Sequence, residues 1–419
     1  MFLTANAQNL LEKIEALLPD PLPHRIGVAV SGGSDSTALL RLLSKIAPTK
    51  GIELFAATVD HGLRKESADE AALVGEFAQR WGVPHTILKW QRWDGSGNLQ
   101  DQARRARYGL LLQWAQERGL GAIALGHTAD DQAETVLMRL ARAAGVSGLS
   151  AMAAVRREGD IDILRPLLSV TRTQLRDYLN TEGIDWIDDP SNQDPRFDRI
   201  KVREALTQLD QIGLTAETLT RVAENLARAR EALQQYTQDS ARKVVHEIDG
   251  VLCLDQDDFQ SLPGEIRRRI IVAAVGWIAG QGYPPRQTAI DQTIKAISAG
   301  KSATLGGCLL TPEGKKMWIS RELRAVRDQV ADPGDLWDNR WIVTGPQDAG
   351  SEIRALGEEG VAQLENWRDL GRPKATLLSS PAVWSGDTIL SAPLAGHASG
   401  WHIQMAANRP EFYSSILSH

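Results

Sequence analysis

Cysteine is almost absent from this chain of 419 residues, which contains only Cys253 and Cys308. Two cysteines so far apart in sequence argue against a disulfide framework and against a cysteine-based metal site. Long apolar runs are missing too, because no stretch reaches about 18 uncharged apolar residues, and the sequence therefore predicts no membrane span. The first 19 residues carry Glu12, Lys13 and Glu15 among leucines, which indicates a small amphipathic helix and not a signal peptide. These absences together predict a cytoplasmic protein.

An excess of positive charge is also missing, since the formal net charge is −6. This total is only weak evidence against nucleic-acid binding, because phosphate contacts need local lysine and arginine and not a global excess. One basic segment, residues 228–269, includes the run Arg267-Arg268-Arg269. A solvated helix face explains this segment as well as an RNA-binding surface does.

The most informative stretch begins with a short, apolar, β-branched run at residues 26–30. Such a run is typical of a strand that is buried on both faces. The segment Ser31-Gly32-Gly33-Ser34-Asp35-Ser36 follows, and residues 37–46 then repeat leucines at helical spacing. A glycine-rich turn that leads into a helix presents backbone N–H groups to a ligand, so we expect an anion site here, most often one for phosphate.

The kind of phosphate site follows from what residues 31–36 contain. The lysine of the GxxxxGK loop and the spacing of the dinucleotide GxGxxG motif are both missing. Hydroxyl groups at Ser31, Ser34 and Ser36 can donate to phosphate oxygens. Asp35 would repel a bare phosphate, so its presence indicates a bridging Mg²⁺ ion. The pattern resembles the pyrophosphate loop of the N-type ATP pyrophosphatases (the PP-loop superfamily), which split ATP into AMP and pyrophosphate. The alternative is a plain strand-to-helix turn.

Strands and helices alternate through the first two hundred residues. Strands are predicted at residues 26–30, 53–59, 85–90 and 122–125, and helices at 67–81, 99–118 and 129–144. This alternation predicts an α/β fold with a doubly wound parallel sheet, whose ligands bind at the carboxyl ends of the strands. Because Ser31, Asp60 and Gly126 each follow a predicted strand, we expect them to converge in space.

The length of the chain predicts two or three domains. We expect a catalytic domain at residues 1–206, a mainly helical domain at 212–328 and a small α+β domain at 332–419. The helical domain would begin with a long polar helix from residue 217 to about residue 248, and residues 330–334 would form a linker.

A second informative stretch spans residues 126–135, Gly-His-Thr-Ala-Asp-Asp-Gln-Ala-Glu-Thr, and is called the carboxylate motif below. If Ala129 begins a helix, then His127, Asp131 and Glu134 fall near one face at spacings of four and three residues. Two carboxylates and an imidazole would then lie together at the edge of the sheet. A helix N-terminus explains the acids equally well, because they complement the helix dipole without any catalytic role.

Together these motifs resemble the tRNA(Ile)-lysidine synthetase family. The resemblance is also carried by residues 60–64, 103–108, 145–152, 165–168 and 189–192, so that it spans residues 26 to about 203. The last domain resembles the family only weakly, through residues 356–360. One residue departs from the family pattern: Ile200 stands where an asparagine is usual, so the role of that asparagine cannot be transferred.

The resemblance implies a ligase that joins lysine to carbon 2 of the wobble cytidine of tRNA(Ile) with a CAU anticodon. Lysidine would form through an adenylated cytidine, with release of AMP and pyrophosphate. ATP would be the cosubstrate and Mg²⁺ the metal, held by Asp35. The implied partners are tRNA(Ile) and free L-lysine; no membrane is implied, and a homodimer is allowed.

The resemblance also assigns residues to each part of the site. ATP would be bound by Ser31, Gly32, Gly33, Ser34, Asp35, Ser36, Asp60 and Gly126. Lysine would be bound by His127, Asp131, Glu134 and Arg107, and catalysis would use Asp35, His127, Asp131 and Glu134. The tRNA would be bound by Arg165, Arg199 and Arg203. Carboxylates suit the lysine ammonium, which has a pKa of about 10.4 and must be paired and then deprotonated. For Arg107 and its neighbour Arg104 a solvated helix face is an equal alternative.

Three other functions compete with lysidine formation. A PP-loop tRNA thiolase would need paired cysteines or an iron–sulfur cluster, which two isolated cysteines disfavour. A PP-loop synthetase that forms amides on small molecules would not need two further domains. A tRNA-binding module that ATP controls without chemistry is disfavoured because Asp35 and the carboxylate motif are both intact.

Overall fold

The computed structural model describes residues 5–62, 67–90, 99–187, 198–280, 285–346, 350–407 and 409–417. Two stretches of the family resemblance, residues 63–64 and 189–192, lie outside the described residues. The chain divides into two compact units, residues 1–230 and 231–419. Among the described residues no helix is both long and apolar enough to cross a bilayer.

The first unit is built on a six-stranded sheet. Its strands are β1 (Arg25–Ala29), β2 (Glu53–Asp60), β3 (His85–Lys89), β4 (Ala122–Leu125), β5 (Val155–Glu158) and β6 (Ile161–Leu164). The strand order is β3-β2-β1-β4-β6-β5, and every neighbouring pair is parallel except β5 with β6. The predicted parallel sheet is confirmed, with one antiparallel strand added at an edge.

Helices cover both faces of this sheet. They are α1 (Ala5–Glu15), α2 (Ser34–Lys50), α3 (Ser67–Arg80), α4 (Leu99–Arg118), α5 (Ala129–Leu140), α6 (Val146–Leu149), α7 (Arg172–Glu182) and α8 (Asp198–Leu209). Successive side chains along β1 point to opposite faces of the sheet and therefore enter two different apolar cores. Val28 packs with the leucines of α2, whereas Ala29 packs with Trp114 of α4. Gly27 also faces α4, because an added Cβ would lie 2.5 Å from the Trp114 ring. The doubly wound architecture is therefore confirmed.

A long helix, α9 (Ala216–Val244), continues from the first unit into the second. Its beginning belongs to the first unit, where Leu219 and Ala223 are buried against Ala133 and Val136 of α5. The sequence predicted this helix to extend to about residue 248. It ends at Val244 because the next four residues form a strand.

The second unit contains a five-stranded antiparallel sheet that the sequence analysis missed. Its strands are β7 (Val245–Ile248), β8 (Val251–Asp255), β9 (Ala303–Leu305), β10 (Cys308–Glu313) and β11 (Lys316–Arg321), in the order β7-β8-β11-β10-β9. It lies within the residues expected to form a mainly helical domain. The accompanying helices are α10 (Gln256–Ser261), α11 (Gly264–Ala279), α12 (Gln287–Ser298) and α13 (Leu323–Val326).

The last ninety residues form two three-stranded antiparallel sheets and short helices, as an α+β region would. The sheets are β12 (Leu336–Trp337), β13 (Trp341–Thr344) and β17 (His402–Met405), and β14 (Ser351–Ala355), β15 (Pro381–Ser385) and β16 (Thr388–Ser391). The helices are α14 (Gly357–Ala362), α15 (Lys374–Leu378) and α16 (Phe412–Ser415). Phe412 joins the apolar core around α11, and the Trp277 indole donates to the Pro410 carbonyl oxygen at 3.0 Å. The structure divides the chain once, after residue 230, and the three predicted domains stay a prediction.

Candidate active site

The turn after β1 is shaped by its glycines. Gly32 has a φ of +87°, and a Cβ at this position would lie 2.5 Å from the Ile187 side chain. Gly33 caps α2 without any side-chain hydrogen bond. The first turn of α2 therefore carries no side-chain cap of its own, which suits a helix N-terminus that binds an anion.

The predicted phosphate-binding hydroxyls have different surroundings. The Ser36 hydroxyl accepts from the Ser31 backbone N–H at 3.0 Å and donates to the Gly33 carbonyl oxygen at 3.2 Å, so it fixes the shape of the loop. Ser31 is exposed. The Ser34 hydroxyl donates to Asp35 Oδ1 at 3.0 Å. The loop is thus pre-formed, and Ser31 is the hydroxyl most open to a ligand.

Asp35 points at an arginine that the sequence analysis did not select. Asp35 Oδ2 accepts from Arg172 Nε at 3.0 Å. Burial raises the pKa of the Asp35 carboxyl, and the Arg172 charge and hydrogen bond oppose that rise. Arg172 is the first residue of α7. Its position directly after Thr171, a helix-capping residue, was a local signal for it.

The three strand ends that were predicted to converge do lie at one edge of the sheet. Gly126 follows β4 and packs against the start of α2, because a Cβ there would lie 3.1 Å from both Cα and N of Ser36. Asp60 ends β2, which pairs with β1. Its Oδ1 accepts from Gly62 N–H at 2.9 Å and from the Ser67 hydroxyl at 2.7 Å, and these bonds lower its pKa. The Asp60 carboxylate therefore stabilises the start of the turn after β2.

Asp131 caps the helix, as one of the two interpretations of the sequence expected, and its catalytic role stays a prediction. Its Oδ2 accepts from the Thr128 N–H at 2.9 Å and from the Thr128 hydroxyl at 3.0 Å, as part of a capping box. Its Oδ1 lies 3.9 Å from Arg172 Nη2 and 3.9 Å from Arg199 Nη1. Burial favours a neutral Asp131, but the Thr128 hydrogen bond and the neighbouring cations outweigh it and lower the pKa. Asp131 is therefore a carboxylate at neutral pH.

Glu134 has no exposed side-chain surface and is paired with arginines from α8. Its Oε1 accepts from Arg203 Nε at 2.5 Å, and its Oε2 lies 3.9 Å from Arg199 Nε. Burial raises the pKa of Glu134, while the Arg203 hydrogen bond lowers it. Two of the three arginines predicted to bind tRNA, Arg199 and Arg203, thus contact the carboxylates predicted to bind lysine. Their role in binding RNA stays a prediction.

His127 lies at a cationic cavity of about 190 Å³. The cavity is lined by His61, Ala103, Arg104, Arg107, Tyr108, Leu111, Leu125 and His127. Burial lowers the pKa of His127 to about 4, and the charges of Arg165 and Arg107 act in the same direction, against Asp131. The ring is therefore neutral at neutral pH. Burial also lowers the pKa of Arg107, and the charge of Arg104 acts in the same direction.

Arg165 lies inside the protein. The residue is 5% exposed, and its Nη1 donates to the Ala153 carbonyl oxygen at 2.8 Å. A residue this buried presents little surface to an RNA, so the structure does not support the predicted contact of Arg165 with tRNA. Its role stays a prediction. Ile200, the departure from the family pattern, lies on α8 between Arg199 and Arg203.

Comparison of the sequence with known proteins shows the family to which this chain belongs. The sequence profile of the PP-loop domain family matches residues 6–210. The tRNA(Ile)-lysidine synthase of Ruegeria pomeroyi is 50% identical over 419 residues, which is 100% of both chains. The chain belongs to the tRNA(Ile)-lysidine synthase family. The tRNA(Ile)-lysidine synthase of Wolbachia pipientis wMel is 35% identical over 331 residues, 77% of each chain.

The resemblance of the sequence motifs to the tRNA(Ile)-lysidine synthetase family is thereby confirmed. Among solved structures, the U34-tRNA thiolase NcsA of Methanococcus maripaludis aligns with a TM-score of 0.46 and 18% identity, over 53% of this chain and 78% of that one. The family membership rests on the full-length relatives and on the PP-loop profile.

Proposed function

We propose that this enzyme joins L-lysine to carbon 2 of the wobble cytidine of tRNA(Ile) with a CAU anticodon, and that ATP drives the reaction. The observation that carries the proposal is the direct packing of Gly126, at the head of the carboxylate motif, on Ser36 of the pyrophosphate loop. It brings an ATP-cleaving loop and a set of carboxylates to one place. The full-length similarity to a tRNA(Ile)-lysidine synthase supports the same function.

The reaction needs two steps because the oxygen on carbon 2 of cytosine is a poor leaving group. In the first step this oxygen attacks the α-phosphorus of ATP, an O–P bond forms, and the bond to pyrophosphate breaks. In the second step the lysine ε-nitrogen attacks carbon 2, the C–O bond breaks, and AMP leaves. The nitrogen must lose protons, so the site needs a group that accepts them.

The residues of the loop suit the triphosphate of ATP. The uncapped start of α2 and the exposed Ser31 hydroxyl can donate to phosphate oxygens. No group of three or more His, Cys, Asp or Glu side chains in the described part of the chain could hold a metal. Asp35 alone, together with phosphate oxygens and water, is the usual donor set for Mg²⁺, so the residues fit that ion. When bound, Mg²⁺ would neutralise charge on the phosphates.

The carboxylate motif and the cavity beside it suit lysine. Asp131 and Glu134 would pair with the ammonium group, and the guanidinium of Arg107 would pair with the lysine carboxylate. Arg199 lies beside Asp131, and Arg203 is hydrogen-bonded to Glu134. The lysine ammonium must therefore displace at least one of these contacts. Glu134 is the best proton acceptor of the three candidates, because burial raises its pKa whereas His127 has a pKa of about 4.

The downstream residues would bind the body of the tRNA while the first unit takes the splayed wobble base. We propose the cytoplasm as the place of action, since the substrate is a tRNA, and a homodimer stays a prediction. A nucleotide assay tests the proposed reaction class. With tRNA(Ile) present, ATP should yield pyrophosphate, and the release of free AMP should require added lysine. Production of ADP, or AMP production that needs a sulfur donor and not lysine, would contradict the proposal.

A further inference from the structure

Arg172 lies where the pyrophosphate loop meets the carboxylate motif. Its Nε donates to Asp35 Oδ2 at 3.0 Å, and its Nη2 lies 3.9 Å from Asp131 Oδ1. Its backbone N–H donates to Asp130 Oδ2 at 2.7 Å. One residue thus contacts a carboxylate of the first motif and both aspartates of the second.

The guanidinium of Arg172 is held in position and is still accessible. Its side chain is 23% exposed, beside Asp35 at 19% and Asp131 at 10%. The backbone at this point is fixed by a capping box between Thr171 and Gln174. A positive side chain in the first turn of a helix opposes the helix dipole, and the carboxylates of Asp35 and Asp131 offset that cost. A ligand that reaches this position therefore meets a cation that needs no rearrangement.

We propose that the Arg172 guanidinium binds the α-phosphate of ATP and stabilises it during adenylation of the cytidine. This inference rests on the proposed function. The α-phosphorus must lie between the loop that binds pyrophosphate and the carboxylates that bind lysine. It is bonded to pyrophosphate before the first step and to the cytidine oxygen after it, and the lysine amine must then reach the adjoining carbon. The Arg172 side chain contacts Asp35 of the loop and Asp131 of the carboxylate motif, on the two sides of this position.

The chemistry of the step explains why an arginine would serve. Negative charge collects on the α-phosphate oxygens as the new O–P bond forms and the bond to pyrophosphate breaks. A planar guanidinium can contact Asp35 along one edge and two phosphate oxygens along another, which a lysine ammonium cannot do. A pre-positioned donor of this kind contributes mainly to the rate of the chemical step and less to the affinity for ATP.

A purely structural role would give different results. If Arg172 only neutralised Asp35, its loss would change stability or ATP affinity and leave the rate of adenylation of bound ATP unchanged. The test is therefore a comparison of two quantities in the same variant. One is the single-turnover rate of pyrophosphate release with tRNA(Ile) and saturating ATP but no lysine, and the other is the dissociation constant for ATP with Mg²⁺.

The variants are Arg172→Gln and Arg172→Lys, with Arg41→Gln as the matched control. Arg41 joins the same two helices, α2 and α7, at 3.4 Å from Glu182, and its side chain is 27% exposed. Lys45 lies 2.9 Å from Glu182 and keeps that carboxylate paired in the control. Thermal unfolding of each variant is measured alongside.

We expect Arg172→Gln to slow pyrophosphate release by about 100-fold or more, with the ATP dissociation constant changed by no more than about threefold. Arg172→Lys should fall between Arg172→Gln and the wild type, and Arg41→Gln should match the wild type. A wild-type rate in Arg172→Gln, or a loss confined to ATP affinity, would overturn the proposal. If Arg172→Gln does not fold, the rate of pyrophosphate release and the ATP dissociation constant of Arg172→Lys test the proposal in the same way. Absence of lysidine from the wild-type reaction would instead refute the proposed function.

Discussion

Glu134 Oε1 accepts a hydrogen bond from Arg203 Nε at 2.5 Å, and no part of the Glu134 side chain is exposed. A buried carboxylate depends on its cationic partner, because the loss of that partner leaves an unmatched buried charge. Any lysine ammonium that binds Glu134 must therefore compete with α8. The affinity for lysine and the position of α8 are expected to be linked.

Glu134→Gln tests whether this carboxylate binds lysine. A charge-assisted hydrogen bond contributes about 1.5–3 kcal/mol, so we expect the KM for lysine to rise by about 10-fold to 100-fold. The dissociation constant for ATP should stay unchanged. Steady-state kinetics in lysine, with equilibrium ATP binding, measure both. Glu182→Gln is the control, because Glu182 is also paired with basic side chains but lies at the far end of α7. A rise in KM no larger than that of the control would contradict the assignment.

Asp35→Asn tests the pyrophosphate loop. The variant should produce no measurable AMP, because the carboxylate that we propose for Mg²⁺ is gone. The protein should remain folded, since burial already disfavours the charged form of Asp35 and an asparagine oxygen can still accept from Arg172. AMP formation and thermal unfolding are the measurements. AMP formation at the wild-type rate would show that Asp35 is not needed for the reaction.

Gly126→Ala tests the packing of the carboxylate motif on the loop. A Cβ at Gly126 would meet the Ser36 backbone at 3.1 Å, so the start of α2 must shift by a few tenths of an ångström. We expect the rate of adenylation to fall by at least about 10-fold, because a small misplacement of reacting groups is costly. Gly109→Ala is the matched control, since nothing lies within 4 Å of the added Cβ.

That control substitution lies within helix α4, so it should leave activity unchanged and stabilise the fold by about 0.5–1 kcal/mol. Single-turnover pyrophosphate release and thermal unfolding measure the two effects. Equal activity in both alanine variants would show that the close packing at Gly126 does not matter for the reaction.

Most of the first unit could be predicted from the sequence, because its signals are local. The run at residues 26–30 is apolar on both faces, and β1 does lie between two parallel neighbours. The predicted helix at residues 129–144 ends early, at Leu140. The reason is a backbone turn that includes Ala143 at a φ of +54°, which no local pattern announced.

The sheet of the second unit and the contacts of Arg172 were not predicted, for different reasons. The hairpin of β7 and β8 did carry a local signal, because Asp249-Gly250 separates its two strands. The other partner of β8, β11, lies about sixty residues further along, so nothing near β8 in sequence marks that second pairing. Arg172 carried a usable signal, since an arginine at the first position of a helix is unfavourable unless carboxylates hold it. The identities of those carboxylates, Asp35 and Asp131, depend on the tertiary fold.

The state of the His127 ring gives a test that depends on pH. Its pKa in the folded protein is about 4, below the ordinary value of 6.5. The unfolded chain therefore binds more protons between these values, and the free energy of unfolding falls as the pH drops from 6.5 to 4, by up to about 3 kcal/mol. An NMR titration, with the ring signal assigned by its loss in His127→Gln, should find a neutral ring at pH 5. A midpoint at or above pH 6 would contradict the burial argument.

Two exposed arginines of α9 provide a test of binding to the tRNA body. Arg221 and Arg228 are both exposed and lie seven residues apart, on one face of the helix. Replacing both with alanine should weaken tRNA binding and reduce the slope of log affinity against log salt by about 2, with ATP binding unchanged. Arg118→Ala is the control, because Arg118 ends α4 near the amino end of β4. An unchanged slope would exclude these two side chains as phosphate contacts.

The central claim is that ATP cleavage at the pyrophosphate loop drives attachment of lysine to a tRNA cytidine. The most direct measurement incubates the protein with labelled L-lysine, ATP and tRNA(Ile), digests the RNA to nucleosides and identifies the labelled product. We expect a cytidine derivative that carries lysine at carbon 2, formed with one AMP and one pyrophosphate for each lysine. Labelled lysine that never enters the nucleoside fraction, or that enters it without ATP, would contradict the account.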